Sequence, residues 1–408
     1  MDKSRRDLLT LGMAVTAGSL IGCGREASSR TPSPAESPKT APPPLPPPIP
    51  AGNYARRREQ VAEKMRREGI DALLVTPSSY LLYLTGADLG RSERLIAWVL
   101  RRDGGSRCLG PAFEADRLKG SGLPGELKTW EESEDPIAAL ARILSEGGRT
   151  SILAVEGTTW LDNLAPLERR LPAARITSAT PLLAPFRMKK DPEEIALIRA
   201  GAGRTLGIFR RLFEEMKEGQ TEEELLRRAQ AMALESGLLL EGLVQFGPDS
   251  AIPHSPAGSA KLRAGDVVLF DMGVLVHGYH SDVSRTVAFG RPPEKFQPVY
   301  EIVKEAQEAG FRAARSGIPA SMVDEAARSV IRRAGYARAF THRLGHGLGL
   351  DGHEPPYLVA GNETLLEAGM TVTVEPGIYL PREFGVRLED DVAVTPSGGE
   401  LLSVETPA

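Results

Sequence analysis

Two carboxylates stand where the sequence should remain apolar. Asp271 directly follows the apolar residues 267–270, VVLF, and Asp282 comes 11 residues later. We expect the chain to turn near residues 275–278 and to form an antiparallel hairpin. Asp271 would then lie directly opposite Asp282, with Cβ atoms about 5 Å apart. Two like charges this close are unfavourable unless one is protonated or a cation lies between them.

A second acidic pair repeats this pattern near the C-terminus. Glu375 follows the stretch TVTV, and Glu389 lies in GVRLEDD. A hairpin loop at residues 381–385 places these glutamates opposite each other as well. A single acidic residue is usually a solvated surface group, but four on apolar strands at matching registers indicate a bound cation. Oxygen-rich ligation favours manganese or another divalent ion that tolerates carboxylates.

An imidazole ligand should complete such a site, and the chain has six histidines. His346 and His353 lie in GHGLGLDGH, where the glycines beside His346 allow close backbone approach. His254 lies on a proline- and glycine-rich loop before the first hairpin. We expect the others to remain outside the ligand set, with His277 and His280 as bystanders at the turn and His342 in a supporting or packing role.

A repeated arrangement of helices and strands must position these residues. Asp191 and Pro192 open one helix as N-cap and first residue. Thr221 and Glu224 form a capping box at the start of the next helix. About a hundred residues later a second helix pair follows, and each pair precedes strands with acidic residues. This weak internal repeat predicts two related halves with a site at their seam.

Composition divides the chain into four regions. Residues 1–23 and the proline-rich residues 24–52 precede the folded part. Residues 53–182 alternate helical and strand patterns, contain no histidine, and predict a smaller α/β domain. Residues 183–408 carry the acidic hairpins and form the larger domain. The fold class predicted for the whole chain is therefore α+β.

The first 23 residues are typical of an export signal. Arg5-Arg6 precedes a short apolar run at residues 8–22, as in twin-arginine signals. Cys23 ends LIGC, which is similar to the site at which bacterial lipoproteins are lipidated. An ordinary cleaved signal with an incidental cysteine is the alternative. We expect export across a bacterial inner membrane and a lipid anchor on the periplasmic or extracellular side.

The proline-rich residues 31–50 favour extended polyproline II, in which twenty residues reach roughly 60 Å. They predict a semi-rigid stalk or, equally, a disordered linker. The net charge of −4 gives no reason to expect a nucleic-acid partner. The two cysteines, Cys23 and Cys108, cannot form a disulfide framework, and we expect Cys108 to be a small packed side chain.

Taken together, five motifs resemble those of the "pita-bread" metallopeptidases, the family of aminopeptidase P and prolidase. They are PHSPAG, FDMGVLVHGYHSDVSRT, GHGLGLDGHEPP, VTVEPGIY and GVRLEDD. The region from residue 56 also resembles the creatinase-type N-terminal domain of that subfamily. The resemblance implies a pita-bread catalytic domain of two pseudo-symmetric halves, each a helix pair with an antiparallel sheet, behind the smaller α/β domain.

The resemblance further implies a dinuclear site with two divalent ions, with manganese expected first and zinc or cobalt possible. Asp271 would hold one ion, and His346 with Glu375 the other. Asp282 and Glu389 would bridge both. Such a pair of ions activates a water for attack on the scissile carbonyl.

Three further roles come from the same resemblance. Glu375 would also relay the proton to the leaving nitrogen. His353 and His254 would hydrogen-bond the substrate and its tetrahedral intermediate. Arg387, two residues before Glu389 on the same strand face, would act as a charge partner behind the ligands.

The implied substrates are proline-containing peptides, and the implied assembly is a homodimer or a larger homo-oligomer. Some prolidases carry an arginine four residues after the second histidine of the GHG motif, where it binds the substrate carboxylate. Here that position is Tyr357, although Arg382 could supply the charge instead. We therefore expect aminopeptidase P-like cleavage of Xaa-Pro from longer peptides, with Xaa-Pro dipeptidase as the alternative.

Three functions found on related folds are less favoured. Creatine-hydrolysing relatives lack the metal ligands, and methionine aminopeptidases usually lack the large N-terminal domain. A catalytically inactive pita-bread module that only binds peptides would normally have lost some of the five ligands, all of which are present here.

Overall fold

The computed structural model describes residues 43–146 and 148–404. Arg5-Arg6, Cys23 and most of the predicted linker lie outside these residues. Residues 43–50 run into helix α1, with Ile49 buried and Leu45 packed against the core. The end of the proline-rich segment is thus part of the packed structure. No helix among the described residues is long and apolar enough to cross a membrane.

The first domain is built on a six-stranded mixed sheet in the order β4-β3-β2-β1-β5-β6. Its strands are β1 Ala72–Val75, β2 Ala97–Arg101, β3 Ser106–Pro111, β4 Glu126–Trp130, β5 Ile152–Val155 and β6 Arg175–Ser178. The central strand β1 pairs antiparallel with β2 and parallel with β5. Its sequence ALLV is buried at every position because helices cover both faces of the sheet.

The helices of this domain begin and end at recognisable signals. They are α1 Ala51–Glu68, α2 Ser79–Thr85, α3 Ala115–Gly120, α4 Pro136–Ser145, α5 Leu161–Arg170 and α6 Thr180–Met188. Helix α1 ends at Gly69, whose φ of 71° closes the helix in the left-handed conformation. Asp135 caps α4 by accepting hydrogen bonds from the first free N–H groups. The predicted domain boundary after residue 182 falls within α6.

The second domain consists of two halves with the same plan, as the internal repeat predicted. The first contains α7 Pro192–Glu215, α8 Glu222–Leu234, β7 Leu239–Phe246, β8 Val267–Val276, β9 Tyr279–His280 and β10 Val283–Ala288. Its sheet has the order β10-β8-β7, with β9 paired to β8. The predicted N-cap Asp191 begins α7, and the predicted capping box of Thr221 and Glu224 begins α8. Helix α7 also has a capping box, formed by Asp191 and Glu194.

The second half repeats the helix pair and then forms a larger sheet. Its elements are α9 Phe296–Ala313, α10 Ala320–Arg333, β11 Gly345–Gly347, β12 Glu354–Leu358, β13 Thr371–Val374, β14 Gly377–Leu380, β15 Phe384–Arg387, β16 Asp390–Val394 and β17 Gly399–Leu401. The sheet order is β12-β11-β13-β16-β17, and β14 pairs with β15. An isolated backbone bridge between Ser284 and Glu389 joins the two halves. The acidic hairpins therefore meet at the seam.

Candidate metal centre and active site

The first acidic hairpin turns at residues 277–278, which have φ values of 50° and 83°. A two-residue turn of this kind matches the twist of antiparallel strands. It pairs Asp271 with Ser284, so the predicted pairing of Asp271 directly opposite Asp282 is wrong by two residues. Because side chains alternate with a period of two, both aspartates still lie on the same face of the sheet.

The second acidic hairpin has the predicted register. Val374 pairs with Asp390, and Gly377 pairs with Arg387. Glu375 and the residue opposite it, Glu389, fall in the short gap between these two strand pairs. Both side chains are buried, and they reach the seam from the second half of the domain.

The five predicted ligands lie close together where the two halves of the domain meet. Three overlapping groups have ligand atoms within 4.8 Å of one another. These groups are Asp271 with Asp282 and Glu389, His346 with Glu375 and Glu389, and Asp282 with His346 and His353. The first two share Glu389, and Asp282 occurs in two groups. This overlap suits the bridging positions that the sequence predicted for these two residues.

His346 is oriented by its own backbone. Its Nδ1 lies 3.0 Å from the carbonyl oxygen of Gly347, which fixes that nitrogen as the donor. Nε2 is then the nitrogen that faces the carboxylates, 3.3 Å from Glu375 and 3.8 Å from Asp282. Gly345 and Gly347 lie so close to neighbouring backbone that a Cβ at either position would clash. The glycines beside His346 therefore allow the close packing of β11.

Arg387 is the charge partner predicted behind the ligands. Its guanidinium forms an ion pair with Asp271 and donates through Nε to Ser284 Oγ at 3.0 Å. The Ser284 hydroxyl in turn donates to Glu389 Oε2 at 2.6 Å. One buried arginine and one serine thus orient a ligand from each half.

Two other ligands are supported by residues that sequence reasoning missed. The Thr373 hydroxyl donates to Glu375 Oε1 at 3.2 Å. The carboxylate of Asp391 accepts the backbone N–H of Asp282 at 3.1 Å. Burial raises the pKa of Asp391 well above its ordinary value. Position in the sequence offered one signal, since Thr373 and Asp391 both lie two residues from a ligand.

The carboxylates destabilise one another as anions. Burial and then the charge of Asp271 raise the pKa of Asp282 well above its ordinary value. Burial and Asp282 raise the pKa of Glu389 in the same way. Burial alone would also raise the pKa of Glu375, but the interaction with His346 and nearby positive charges lower it to about 2. A bound cation would relieve this repulsion, and four carboxylates with one imidazole fit divalent metal ions.

The centre lies in a cavity of about 470 Å³ at the seam. The predicted substrate contacts His254 and His353 both line it. Among the residues without a predicted substrate role, His280, His342 and Arg343 also line it. His280 was expected to be a bystander, but the register of the first hairpin brings it to the wall. The cavity has the size of a small-ligand site.

Two of the cavity histidines are held near the ligands. His342 Nε2 lies 2.8 Å from the hydroxyl of Tyr379, which accepts a hydrogen bond from Arg387. His342 therefore has a supporting role, one of the two roles that the sequence predicted for it. Burial, followed by the charges of His346 and Arg343, lowers the pKa of His353 to about 4. His353 is thus a neutral imidazole near pH 7.

The loop that carries His254 is fixed from both sides. The side-chain amide of Gln245 donates to the carbonyls of Ile252 and Ser255, at 2.7 and 2.9 Å. The buried carboxylate of Glu222 accepts the N–H groups of residues 246 and 258. These bonds hold an irregular loop in one position beside the metal ligands.

A second cluster of charged side chains includes Glu354, the buried residue directly after His353. Glu354 accepts from Lys190 Nζ at 2.6 Å and forms an ion pair with Arg187. Arg187 also pairs with Asp351 and donates to Ser79 of the first domain. We call Arg187, Lys190, Asp351 and Glu354 the junction cluster. It ties the first domain to the loop that carries His353.

Comparison with known proteins identifies both domains. The model of metallopeptidase family M24 matches residues 196–396, and that of the creatinase/prolidase N-terminal domain matches residues 57–189. An uncharacterized peptidase of Staphylococcus aureus is 32% identical over 84% of this chain and 97% of its own length.

Two solved structures show the same architecture at different levels of similarity. The prolidase from Thermococcus sibiricus is 37% identical with a TM-score of 0.82, over 86% of this chain and 97% of that chain. The X-Pro aminopeptidase from Thermotoga maritima is 26% identical with a TM-score of 0.74, over 85% and 98%. The predicted fold is confirmed, and divalent metal ions are implied by the family. The chain belongs to metallopeptidase family M24 and carries a creatinase-type N-terminal domain.

Proposed function

We propose that this protein is an Xaa-Pro dipeptidase, which hydrolyses the bond between an N-terminal residue and proline. The supporting observation is the difference in similarity between the two kinds of relative. The prolidase shares 37% identity and the X-Pro aminopeptidase 26%, with TM-scores of 0.82 and 0.74. This reverses the order of preference drawn from Tyr357 alone.

Two divalent ions are proposed as cofactors. Asp271 would hold one ion, His346 and Glu375 would hold the other, and Asp282 and Glu389 would bridge them. When bound, the ions supply Lewis-acid activation of a water and of the scissile carbonyl. Manganese is the first candidate because the ligands are mostly carboxylate oxygens.

The chain's own residues would carry protons and orient the substrate. Glu375 is a buried carboxylate with a lowered pKa and is itself one of the proposed ligands, so as an anion it can accept the proton of the attacking water. The same group then returns the proton to the proline nitrogen as the C–N bond breaks. Neutral His353 and the exposed His254 would hydrogen-bond the peptide from the cavity wall.

Aminopeptidase P-like activity remains the second candidate function. The observation that favours it is Tyr357, which occupies the position of a carboxylate-binding arginine in some prolidases. A phenol brings no positive charge, so a site that relied on this position would tolerate a continuing peptide chain.

The test is a comparison of kcat/KM for Ala-Pro, Ala-Pro-amide and Ala-Pro-Ala, with manganese, zinc and cobalt compared. A dipeptidase should prefer Ala-Pro by tenfold or more, about 1.4 kcal/mol in transition-state binding. Preference for the tripeptide would instead establish the aminopeptidase. Absence of hydrolysis with every metal would favour the inactive peptide-binding module.

We also propose that the protein is an exported lipoprotein whose lipid is attached to Cys23. Several acyl chains would hold it firmly at a membrane, whereas one chain binds weakly. Mass spectrometry of the mature N-terminus should find a lipidated Cys23. An unmodified chain that begins after residue 23 would contradict this. Light scattering tests the proposed homodimer or larger homo-oligomer, which a monomer at working concentration would exclude.

A further inference from the structure

Arg343 is a cation at the cavity wall, beside the predicted substrate contact His353. Its guanidinium lies 4.4 Å from the ring centroid of Tyr357 and 3.4 Å from His353 Nδ1. Within the part of the chain that the structure describes, it forms no ion pair with a carboxylate. By contrast, the arginines buried near the centre are paired: Arg387 with Asp271, and Arg187 with Glu354.

The backbone holds Arg343 firmly in this place. The N–H of the next residue, Leu344, is 3.0 Å both from Asp324 Oδ1 and from the carbonyl of Leu358. The following strand, β11, carries His346, which pairs with Tyr357 on β12. The guanidinium of Arg343 therefore stacks on the residue that is paired with the proposed metal ligand His346. Stacking on an aromatic face restricts the rotation of the guanidinium and leaves its edge free to donate.

Arg343 is a candidate for the carboxylate-binding charge, and one that was not considered from the sequence. Tyr357 itself brings no charge, but its ring contacts the guanidinium of Arg343, which lies just before the neighbouring strand β11. Arg382, the substitute considered from the sequence, lies on the loop between β14 and β15 and does not line the cavity. Arg343 does line it, beside the predicted substrate contact His353.

We propose that Arg343 binds a carboxylate of the substrate, and specifically the C-terminal carboxylate of an Xaa-Pro dipeptide. The inference deepens the proposed dipeptidase function and rests on it. In a dipeptide this carboxylate is attached to the proline ring, next to the scissile bond. A planar guanidinium can donate two parallel hydrogen bonds to it. An acidic side chain at the N-terminal residue would offer the same chemistry, so the test separates the two sources.

The experiment compares Arg343→Met with wild type and with Arg382→Met, a matched arginine outside the cavity. For Ala-Pro, Arg343→Met should lower kcat/KM by 10- to 100-fold, mostly through KM. For Ala-Pro-amide, which lacks the carboxylate, the same variant should differ from wild type by less than threefold. Retained amide hydrolysis also shows that the fold and metal centre are intact. Arg382→Met should match wild type on both substrates.

A relocated arginine provides an independent check. Arg343→Met combined with Tyr357→Arg should recover at least part of the preference for Ala-Pro over its amide. An Arg343→Met variant that keeps the wild-type preference would overturn the inference while leaving the dipeptidase proposal standing. Wild-type protein that cleaves the amide or tripeptide better than Ala-Pro would overturn the dipeptidase proposal itself.

Acidic substrates decide which carboxylate is bound. If Arg343 binds the C-terminal group, Asp-Pro-amide and Ala-Pro-amide should respond equally to Arg343→Met. A loss of tenfold or more that is confined to Asp-Pro-amide would assign Arg343 to an acidic N-terminal side chain, and would overturn the assignment made here.

Discussion

The metal centre and the junction cluster are both groups of buried charges, and they meet at consecutive residues. Glu354 belongs to the junction cluster, whereas His353 reaches the metal ligands. In the junction cluster, two carboxylates face Arg187 and Lys190. In the metal centre, four carboxylates lie around the buried guanidinium of Arg387, which forms an ion pair with Asp271. One cluster is balanced by the chain itself, and the other is not.

The pKa of Glu354 and those of the proposed bridging ligands Asp282 and Glu389 are shifted in opposite directions, which reflects the same difference in charge balance. Burial alone would raise the pKa of Glu354, but Lys190 and Arg187 lower it below its ordinary value. The pKa values of Asp282 and Glu389 are raised because burial acts together with neighbouring negative charges. The junction cluster therefore functions as a structural tie, whereas the centre is complementary to added cations. Substitutions in the two clusters should accordingly change different properties of the protein.

Removing a bridging ligand should have the largest effect. Asp282→Asn should lower hydrolysis by on the order of 10³-fold, about 4 kcal/mol of transition-state stabilisation. The amide carries no charge and cannot bridge two cations as a carboxylate does. Bound metal, measured by mass spectrometry of the dialysed protein, should fall in parallel. Circular dichroism should show an intact fold.

Asp116→Asn is the matched control, since Asp116 is exposed on α3 and lies 4.0 Å from Lys119. It should retain full activity and metal content. Full activity of Asp282→Asn, or of exhaustively chelated wild type, would be incompatible with a dinuclear centre.

A substitution in the junction cluster should lower the free energy of unfolding of the protein. Glu354→Gln leaves Lys190 buried without its carboxylate partner, which should destabilise the metal-loaded protein by about 3 kcal/mol. Denaturant unfolding measures this change. Glu383→Gln, which breaks an exposed pair with Lys295, should cost no more than about 1 kcal/mol. Equal stability of the two variants would show that the junction cluster is not a structural tie.

The sequence predicted the residues that carry chemistry better than those that support them. The candidate ligands were recognisable because carboxylates are unusual on apolar strands and because two hairpins repeated the pattern. The first register was misjudged because a His-Gly pair was not recognised as a two-residue turn with positive φ. The error was harmless to the site, since a shift of two residues preserves the face.

The supporting residues have ordinary types, so composition and periodicity do not reveal them. Ser284 resembles any small strand residue until the fold places it between Arg387 and Glu389. The junction cluster joins positions 167 residues apart, namely Arg187 and Glu354. Arg343 was passed over because its contact with the ring of Tyr357, on β12, forms only when the chain folds. Such roles depend on long-range contacts that only the folded chain supplies.

A smaller effect on metal binding is expected when a residue that orients a proposed ligand is replaced and every proposed ligand remains. Ser284→Ala deletes the hydrogen bond to Glu389 and leaves Arg387 without one acceptor. Metal affinity should fall about tenfold, as is typical for residues that orient ligands. Competition with a fluorescent chelator measures this. Ser321→Ala, at a partly exposed serine on α10, is the control, and an equal affinity in both variants would remove Ser284 from the metal site.

The smallest effect should be a gain in stability in the absence of metal. Glu389→Gln removes an acidic group whose anion is disfavoured by burial and by the neighbouring carboxylates, and which no metal ion then balances. The metal-free variant should therefore be more stable than metal-free wild type by about 1 kcal/mol. With saturating manganese the order should reverse, because wild type gains binding free energy that the variant loses. Thermal unfolding of wild type and of the variant, each with and without manganese, measures the four stabilities that the prediction compares. A variant less stable than wild type in both conditions would mean that Glu389 is balanced by the chain, as Glu354 is.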